Sequence, residues 1–273
     1  MKQTKEWSNI KHNTHLDVGF LHARYIHYAY PRHSHDYYVI SLIERGRQSF
    51  THKGERYTTP AGGVILINPG VVHTGEPVDE QGFELRSLYP TLAHMKMAAF
   101  ELTGRHVALP FFNDIRVDHP WVSESILSLH RSLMEGSTSL ETESRFVWFL
   151  TQLIKFYGET SLGEQKAGDE NQAIRKARHF IEEHFAHSIR LDALARHVAL
   201  SPYYFLRVFC AQVGMPPHAY QESVRIRHAQ RLIREGKTLA ETAMEVGFSS
   251  QSHMTRSFKK IIGVTPGQYA QDL

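Results

Sequence analysis

Cysteine is nearly absent: Cys210 is the single one in 273 residues. No disulfide can form within the chain, so burial and hydrogen bonding must hold the fold, and this usage fits a reducing compartment. Long apolar runs are missing too. None approaches the roughly 20 residues that a bilayer-spanning helix needs, and the lysine-bearing opening, MKQTKEWSNIKHNTH, has no apolar stretch of a secretory signal behind it. A cytoplasmic location with no membrane partner is the expectation. A strong overall charge excess is also lacking, with 31 Lys and Arg against 28 Asp and Glu. What is present is ordinary for a soluble chain, 41% apolar and 22% charged, and the length suits two domains that each bury a core.

The charge is unevenly placed. Residues 1–170 hold 17 Lys and Arg against 20 Asp and Glu, whereas residues 171–273 hold 14 against 8. A basic segment attached to a slightly acidic one suggests a polyanion-binding module joined to a different domain. Chance asymmetry of a solvated surface is the plainer alternative.

The first hundred residues carry β signals. YYVISLI (37–43), RQSFTHKGERYTT (47–59) and GGVILIN (62–68) are rich in β-branched and aromatic residues. Glu44-Arg45-Gly46, Lys53-Gly54, Pro60-Ala61-Gly62 and Asn68-Pro69-Gly70 are turn signals between them. Short strands at this spacing predict a sandwich or barrel of the jelly-roll kind. From Trp121 the period changes: Val122, Ile126, Leu129 and Leu133 fall at helical spacing up to a break at Gly136-Ser137-Thr138. A second helix is predicted over residues 145–157, apolar around so much of its circumference that it needs cover from the sheet or from a second copy of the chain. The polar stretch GETSLGEQKAGDENQ (158–172) reads as a linker.

The remainder contains one unit used twice. LDALARHVALS (191–201) and LAETAMEVGFS (239–249) align at an offset of 48, pairing Ala195 with Ala243 and Ser201 with Ser249. Farther on the offset becomes 49, pairing Arg207 with Arg256, Phe209 with Phe258 and Pro217 with Pro266. A small residue in a short amphipathic helix, a turn, then a serine able to cap a second helix is the pattern of a helix-turn-helix. In the first unit Phe205 with Val208 or Phe209 suits the core, leaving Tyr203, Leu206 and Arg207 outward. In the second, Met254 and Phe258 suit the core; Gln251, Ser252, His253, Thr255 and Arg256 are left for other faces, Ser249 for the cap, and Lys259 and Lys260 for phosphates. Arginine can grip a guanine edge and glutamine an adenine edge, while hydroxyls serve phosphates or bases. The helix expected between the units, over residues 218–236, offers several arginines to phosphates; Arg225 either joins them or braces the two units from a buried ion pair.

The double unit, ending in GFSSQSHMTRSFKKIIGVTPGQY (247–269), resembles the signature of AraC/XylS-type transcriptional regulators. That resemblance implies binding to double-stranded DNA, two recognition helices in adjacent major grooves, and activation of transcription through RNA polymerase. By position it assigns base-facing slots to Tyr203, Leu206 and Arg207 in the first unit and to Ser252, His253 and Arg256 in the second. PRHSHDYYVISLIERGRQSF (31–50) with NPGVVHTGEP (68–77) resembles the cupin-like effector-binding domain of such regulators. The fold expected is therefore α+β in two domains: a cupin-like jelly-roll β-barrel with helices over residues 1–157, a linker over 158–172, and an all-α double helix-turn-helix over 173–273.

For the sensing half, His33, His35 and Tyr37 share one face if they lie in a strand, and His73 can close on the same cavity. Three imidazoles can ligate a metal. The carboxylate that accompanies them in cupin enzymes is expected where this chain has Val39 and Ile40, so no metal or cofactor is assigned. A pocket for an unidentified small-molecule effector is the leading reading, and histidines that merely hold strand ends are the bland one. Two functions from different classes follow. One is a non-enzymatic, ligand-responsive DNA-binding regulator, a homodimer if the apolar helix is covered by a second copy; the other is a metal-dependent cupin enzyme with an accessory helical domain.

Overall fold

The computed structural model describes residues 5–52, 54–135, 138–159, 170–262 and 264–271. Its internal contacts gather into two units, Met1–Ser137 with Arg145–Gln165, and Thr138–Ser144 with Lys166–Leu273. The first is sheet-rich and the second helical. Most of the expected linker lies outside the described residues. Of its ends, Gly158–Glu159 pairs as a short strand with Phe111–Phe112, and a helix already begins at Asn171.

The sheet-rich unit is built from β1 (Trp7–Asn13), β2 (Val18–Tyr25), β3 (Tyr30–His33), β4 (Val39–His52), β5 (Glu55–Pro60), β6 (Val64–Ile67), β7 (His73–Pro77) and β8 (Phe83–Tyr89). Short strands β9 (Phe111–Phe112), β10 (Arg116–Val117) and β11 (Gly158–Glu159) follow. One path runs β1-β2-β8-β4-β6-β10; beyond it β4 pairs with β5 and β7, and β7 with β3. The result is jelly-roll-like, with a sheet that does not close into a barrel.

The turn expected at Glu44-Arg45-Gly46 is instead an interruption inside β4. The register against β8 shifts between Ile43 and Arg45, the mark of a bulge, and β4 passes from its β6 and β8 partners to β5 and β7. Only glycine suits position 46. Its φ is +72°, and an added Cβ would lie 2.0 Å from the Gly82 carbonyl oxygen. The core beneath this bend gathers Leu21, Ile43, Phe50, Ile65, Phe83 and Leu85. Helix α1 (Leu92–Thr103) carries a Thr91 cap. Helix α2 (Pro120–Glu135) packs on β8 and β4, burying Val122, Ile126 and Leu129 as its spacing demands. Helix α3 (Ser139–Tyr157) starts six residues before the expected boundary; it buries Phe149, Leu153 and Ile154 but leaves Phe156 63% exposed.

The helical unit comprises α4 (Asn171–Glu183), α5 (Leu191–His197), α6 (Pro202–Val213), α7 (Pro217–Arg234), α8 (Leu239–Glu245), α9 (Gln251–Ile262) and α10 (Pro266–Gln271). The repeat is structural as well as sequential: α5 and α8 have 7 residues each, and α6 and α9 have 12. Both turns pass through the left-handed region at equivalent places, Ala199 at φ 55° and Gly247 at φ 82°. Both are closed alike, by the Leu200 N–H donating to Ala195 and the Phe248 N–H to Ala243. The one-residue change of offset therefore falls after the turn, before α9.

Candidate effector cavity and nucleic-acid interface

His33 ends β3 and stands opposite His73, the first residue of β7. His35 lies two residues on, outside any strand, and brings its ring to 4.7 Å from that of His33 and 5.3 Å from that of His73, centroid to centroid. One ring nitrogen from each of the three lies within 4.8 Å of the other two. Tyr37 behaves differently from expectation. The strand stops at His33 and the chain bends at Asp36 and Tyr37, so alternation no longer sets its direction. Its ring stacks on His35 at 4.7 Å and meets Tyr89 at 5.4 Å, backing the cluster rather than lining the cavity.

The protonation of the cluster follows from its partners. His33 donates its Nδ1–H to the Pro31 carbonyl at 2.7 Å, and His73 donates its own to the Val71 carbonyl at 3.0 Å. A carbonyl can only accept, so Nδ1 carries a proton in both rings, and Nε2 is the nitrogen that offers a lone pair in the neutral tautomer. Burial, then the neighbouring His33 and His73, push His35 down to about 4; burial also lowers His73. The imidazoles of His35 and His73 are therefore neutral at neutral pH.

The three rings border a cavity of about 100 Å³. Leu21, Val39, Phe50, Ile65, Ile67 and Leu85 supply its apolar walls. Its polar groups include Gln48, Thr74 and a Ser41–Ser87 hydroxyl pair at 2.6 Å. Tyr30 completes one side; burial and the hydrogen bond to Tyr25 raise its phenol pKa, so it stays a neutral donor. Among the described residues no Asp, Glu, Lys or Arg lines it. Sequence reasoning missed Ser41, Gln48 and Ser87. The available signal was a lone hydroxyl in the apolar run VISLI, placed by strand alternation on one face with Val39.

A second polar cluster joins β2, β4 and β8. His22 Nε2 meets Glu84 at 2.9 Å and Glu44 at 3.4 Å, while Arg86 donates to Glu44 at 2.6 Å. Buried His130 of α2 donates to the Leu21 carbonyl at 3.0 Å and faces Arg86 through Nδ1 at 3.2 Å. Burial and then Arg86 hold its pKa at about 4. This cluster fastens α2 to the sheet, since its charges are already matched within it.

In the helical unit the two second helices differ. On α9, Met254 and Phe258 are fully buried, as their spacing requires, while Gln251, Ser252 and Arg256 are exposed. His253 is half-buried: its Nδ1 lies 3.1 Å from Ser249 Oγ, its ring meets Phe248 edge-on, and burial lowers its pKa. The capping serine is Ser250 rather than Ser249, accepting from the His253 N–H at 3.1 Å. The extra residue in this turn moves the cap by one.

On α6 the expectation of an outward Tyr203 and Leu206 fails, since they are only 4% and 1% exposed. This helix is apolar on more than one side, and a tyrosine and a leucine carry enough apolar area that burial outweighs exposure. Arg207 is half-buried with its guanidinium over the Tyr204 ring at 5.2 Å. Its Nε and one terminal nitrogen are buried without a hydrogen-bond partner among the described residues.

Arg225 of α7 is a brace, through carbonyls rather than an ion pair. It donates to Phe185 at 2.7 Å and His187 at 3.1 Å, and its guanidinium lies 5.6 Å from the Phe248 ring. Gln221 donates to the same two carbonyls. Arg225 thereby ties the α4–α5 connection to the turn of the second unit, and burial lowers its pKa to about 10. Arg227, Arg231, Arg234, Lys259 and Lys260 remain exposed. Capping also differs. The α8 start has a reciprocal Thr238–Glu241 box, whereas the α5 start is capped by buried Glu143, which accepts from the Leu191 N–H at 2.8 Å.

Residues 15–150 match a family model described as the AraC-like ligand binding domain, and residues 194–272 match a helix-turn-helix domain. Among curated proteins the chain is 31% identical to an uncharacterized HTH-type transcriptional regulator, YbfI of Bacillus subtilis, over 91% of this chain and 90% of that one. It is 28% identical to the HTH-type transcriptional activator RhaS of Escherichia coli, over 89% and 88%. Among solved structures it is similar to apo ToxT from Vibrio cholerae, with 16% identity, coverage of 96% and 98%, and a TM-score of 0.42.

Proposed function

The chain belongs to the AraC-type family of helix-turn-helix transcriptional regulators, and from that premise we propose that it is a transcriptional activator whose binding to duplex DNA is set by a small molecule in the histidine-bordered cavity. The observation that carries this reading is the twice-used helix-turn-helix in a segment with an excess of 6 positive charges, with α9 presenting Gln251, Ser252 and Arg256 on its exposed face. Arg256 is assigned to a base edge, Gln251 and Ser252 to bases or phosphates, and Lys259 and Lys260 to phosphates. His253, held by Ser249, positions the start of that helix and reaches the same surface. In the first unit Arg207 alone keeps a base-reading role.

Activation as the outcome is supported by the name of the RhaS relative and implies RNA polymerase as a partner. A second copy of the chain is proposed to cover the exposed Trp148 and Phe156 of α3. The function is regulation and not catalysis, and the linker between the two domains is proposed to fall within residues 158–172. The effector acts by binding one of two states better than the other, so DNA affinity changes by the difference between them.

The test is a titration of the full chain with duplex DNA at several salt concentrations. Affinity that falls linearly on a log–log plot, by roughly 0.9 log unit per phosphate contact for each decade of salt, is the result expected. Absence of salt-sensitive binding to any duplex removes the proposal.

A further inference from the structure

We propose that His33, His35 and His73 hold one divalent transition-metal ion of the zinc class, with a coordination position left open to the cavity for an oxygen donor of the effector. The inference rests on the effector-site reading above and specifies its chemistry.

Four observations converge on it. The three candidate donor nitrogens lie within 4.8 Å of one another. A tetrahedral site with metal–nitrogen bonds of about 2.0–2.1 Å requires about 3.4 Å between donors, so the cluster must draw in by roughly an ångström. His35 lies on the connection between β3 and β4 and is only half-buried, so the change is assigned to its side chain.

The second observation is the orientation of the rings. His33 and His73 each give Nδ1–H to a carbonyl two residues earlier, Pro31 and Val71, which leaves Nε2 as the donor atom. Fixing the tautomer through the far nitrogen in this way is what outer partners of metal-bound histidines do. A strand-end histidine needs no such arrangement in duplicate.

Third, no Asp, Glu, Lys or Arg lines the cavity among the described residues. Three neutral imidazoles leave the ion its full double charge, and with no protein carboxylate competing, a fourth position stays available, as in three-histidine zinc sites that act on a bound ligand. The apolar walls then favour a small anion with an oxygen donor at one end and an apolar remainder. Fourth, the other cluster with ligand chemistry, His22 with Glu44 and Glu84, has Glu44 already engaged by Arg86 at 2.6 Å. Among the described residues the histidine trio has no ion pair of that kind.

The experiment uses the untagged full chain, stripped with chelator and titrated with cobalt(II) and zinc(II) alone. With 19 histidines in the chain, weak surface binding must be separated from the site. The result expected is one tight equivalent with a tetrahedral-type cobalt absorption that shifts on adding azide. Affinity should fall at least about tenfold in His33→Gln, His35→Gln and His73→Gln, the loss that even outer partners produce, and should be unchanged in the exposed-site control His106→Gln. Because His73 is buried and its variant risks misfolding, His35→Gln and the wild-type cobalt spectrum suffice between them. No tight equivalent, or one that survives His35→Gln, overturns the metal site; a cobalt spectrum indifferent to azide overturns the open position. The same preparations are assayed for duplex binding: DNA binding without a metal site sinks this inference alone, whereas loss of DNA binding in the wild type sinks the regulator reading.

Discussion

The two helix-turn-helix units share element lengths, turn conformation and closing hydrogen bonds, yet their second helices expose different residues. On α9 the exposed positions are Gln251, Ser252 and Arg256, whereas α6 buries Tyr203 and Leu206 and half-buries Arg207. The repeat thus conserves scaffold and not surface. Buried positions recur because helix crossing and turn closure require them, while the outward positions answer to whatever each copy touches. The prediction is that α9 dominates base reading and that α6 contributes chiefly to holding the domain together.

The largest expected effect concerns the turns. Gly247 has φ +82°, and an added Cβ would lie 2.0 Å from the Ala186 carbonyl oxygen. Gly247→Ala should cost about 2–4 kcal/mol, from left-handed strain with overpacking, read as a lowered urea midpoint of the helical unit. The equivalent Ala199→Gly relieves strain at φ 55° and should shift the same midpoint upward, by up to about 1 kcal/mol. Equal effects at the two sites would dissolve the distinction between the turns.

Next comes recognition. Arg256→Ala should weaken binding to a preferred duplex by about 1–3 kcal/mol and relax base preference at one position. Arg207→Ala should lose less DNA affinity and more stability, because its guanidinium is partly buried over Tyr204. Lys260→Ala should weaken all duplexes alike and reduce the salt slope by about 1. Competition binding with matched and mismatched duplexes separates the three.

The smallest effect lies in the caps. Thr238→Ala removes one half of the box at α8 and should cost about 1 kcal/mol. Hydrogen bonds from the Thr238 hydroxyl and backbone hold the Glu241 carboxyl below its usual 4.5. A lowered folded value means that its contribution is complete above pH 4.5 and is lost as pH falls below 4.5 through the lowered folded value. Thermal melts between pH 6 and 3 should show this loss in wild type and much less of it in Thr238→Ala. The sheet-rich unit should weaken earlier on acidification. His35 and His130 both have pKa values of about 4 against an ordinary 6.5, so unfolding takes up protons across that interval and stability falls from pH 6.5 toward 4.

Much of this was legible beforehand where periodicity and turn chemistry agree. Met254 and Phe258, Val122 and Ile126, and the strands around Lys53-Gly54 needed only spacing to place them. The His33–His73 meeting was legible because strand ends and turns confine the geometry. Three things were not. Gly46 looks like a turn residue, because the local signal for a bulge and a turn is the same left-handed glycine. Tyr203 and Leu206 read as outward in the sequence, since a helix apolar on several sides gives no single inward direction. The pairing of Ser41 with Ser87, the place of Gln48 and the Glu143 cap depend on partners 46 or 48 residues away or on strand pairing, which local pattern does not encode.

The most direct test of the central claim is selection by the full chain from a random duplex library, run in parallel with Arg256→Ala and Arg207→Ala. A reproducible enriched motif, with one segment erased by Arg256→Ala and essentially retained by Arg207→Ala, is the result predicted. Enrichment of no sequence, or a motif that Arg256→Ala leaves intact, contradicts it.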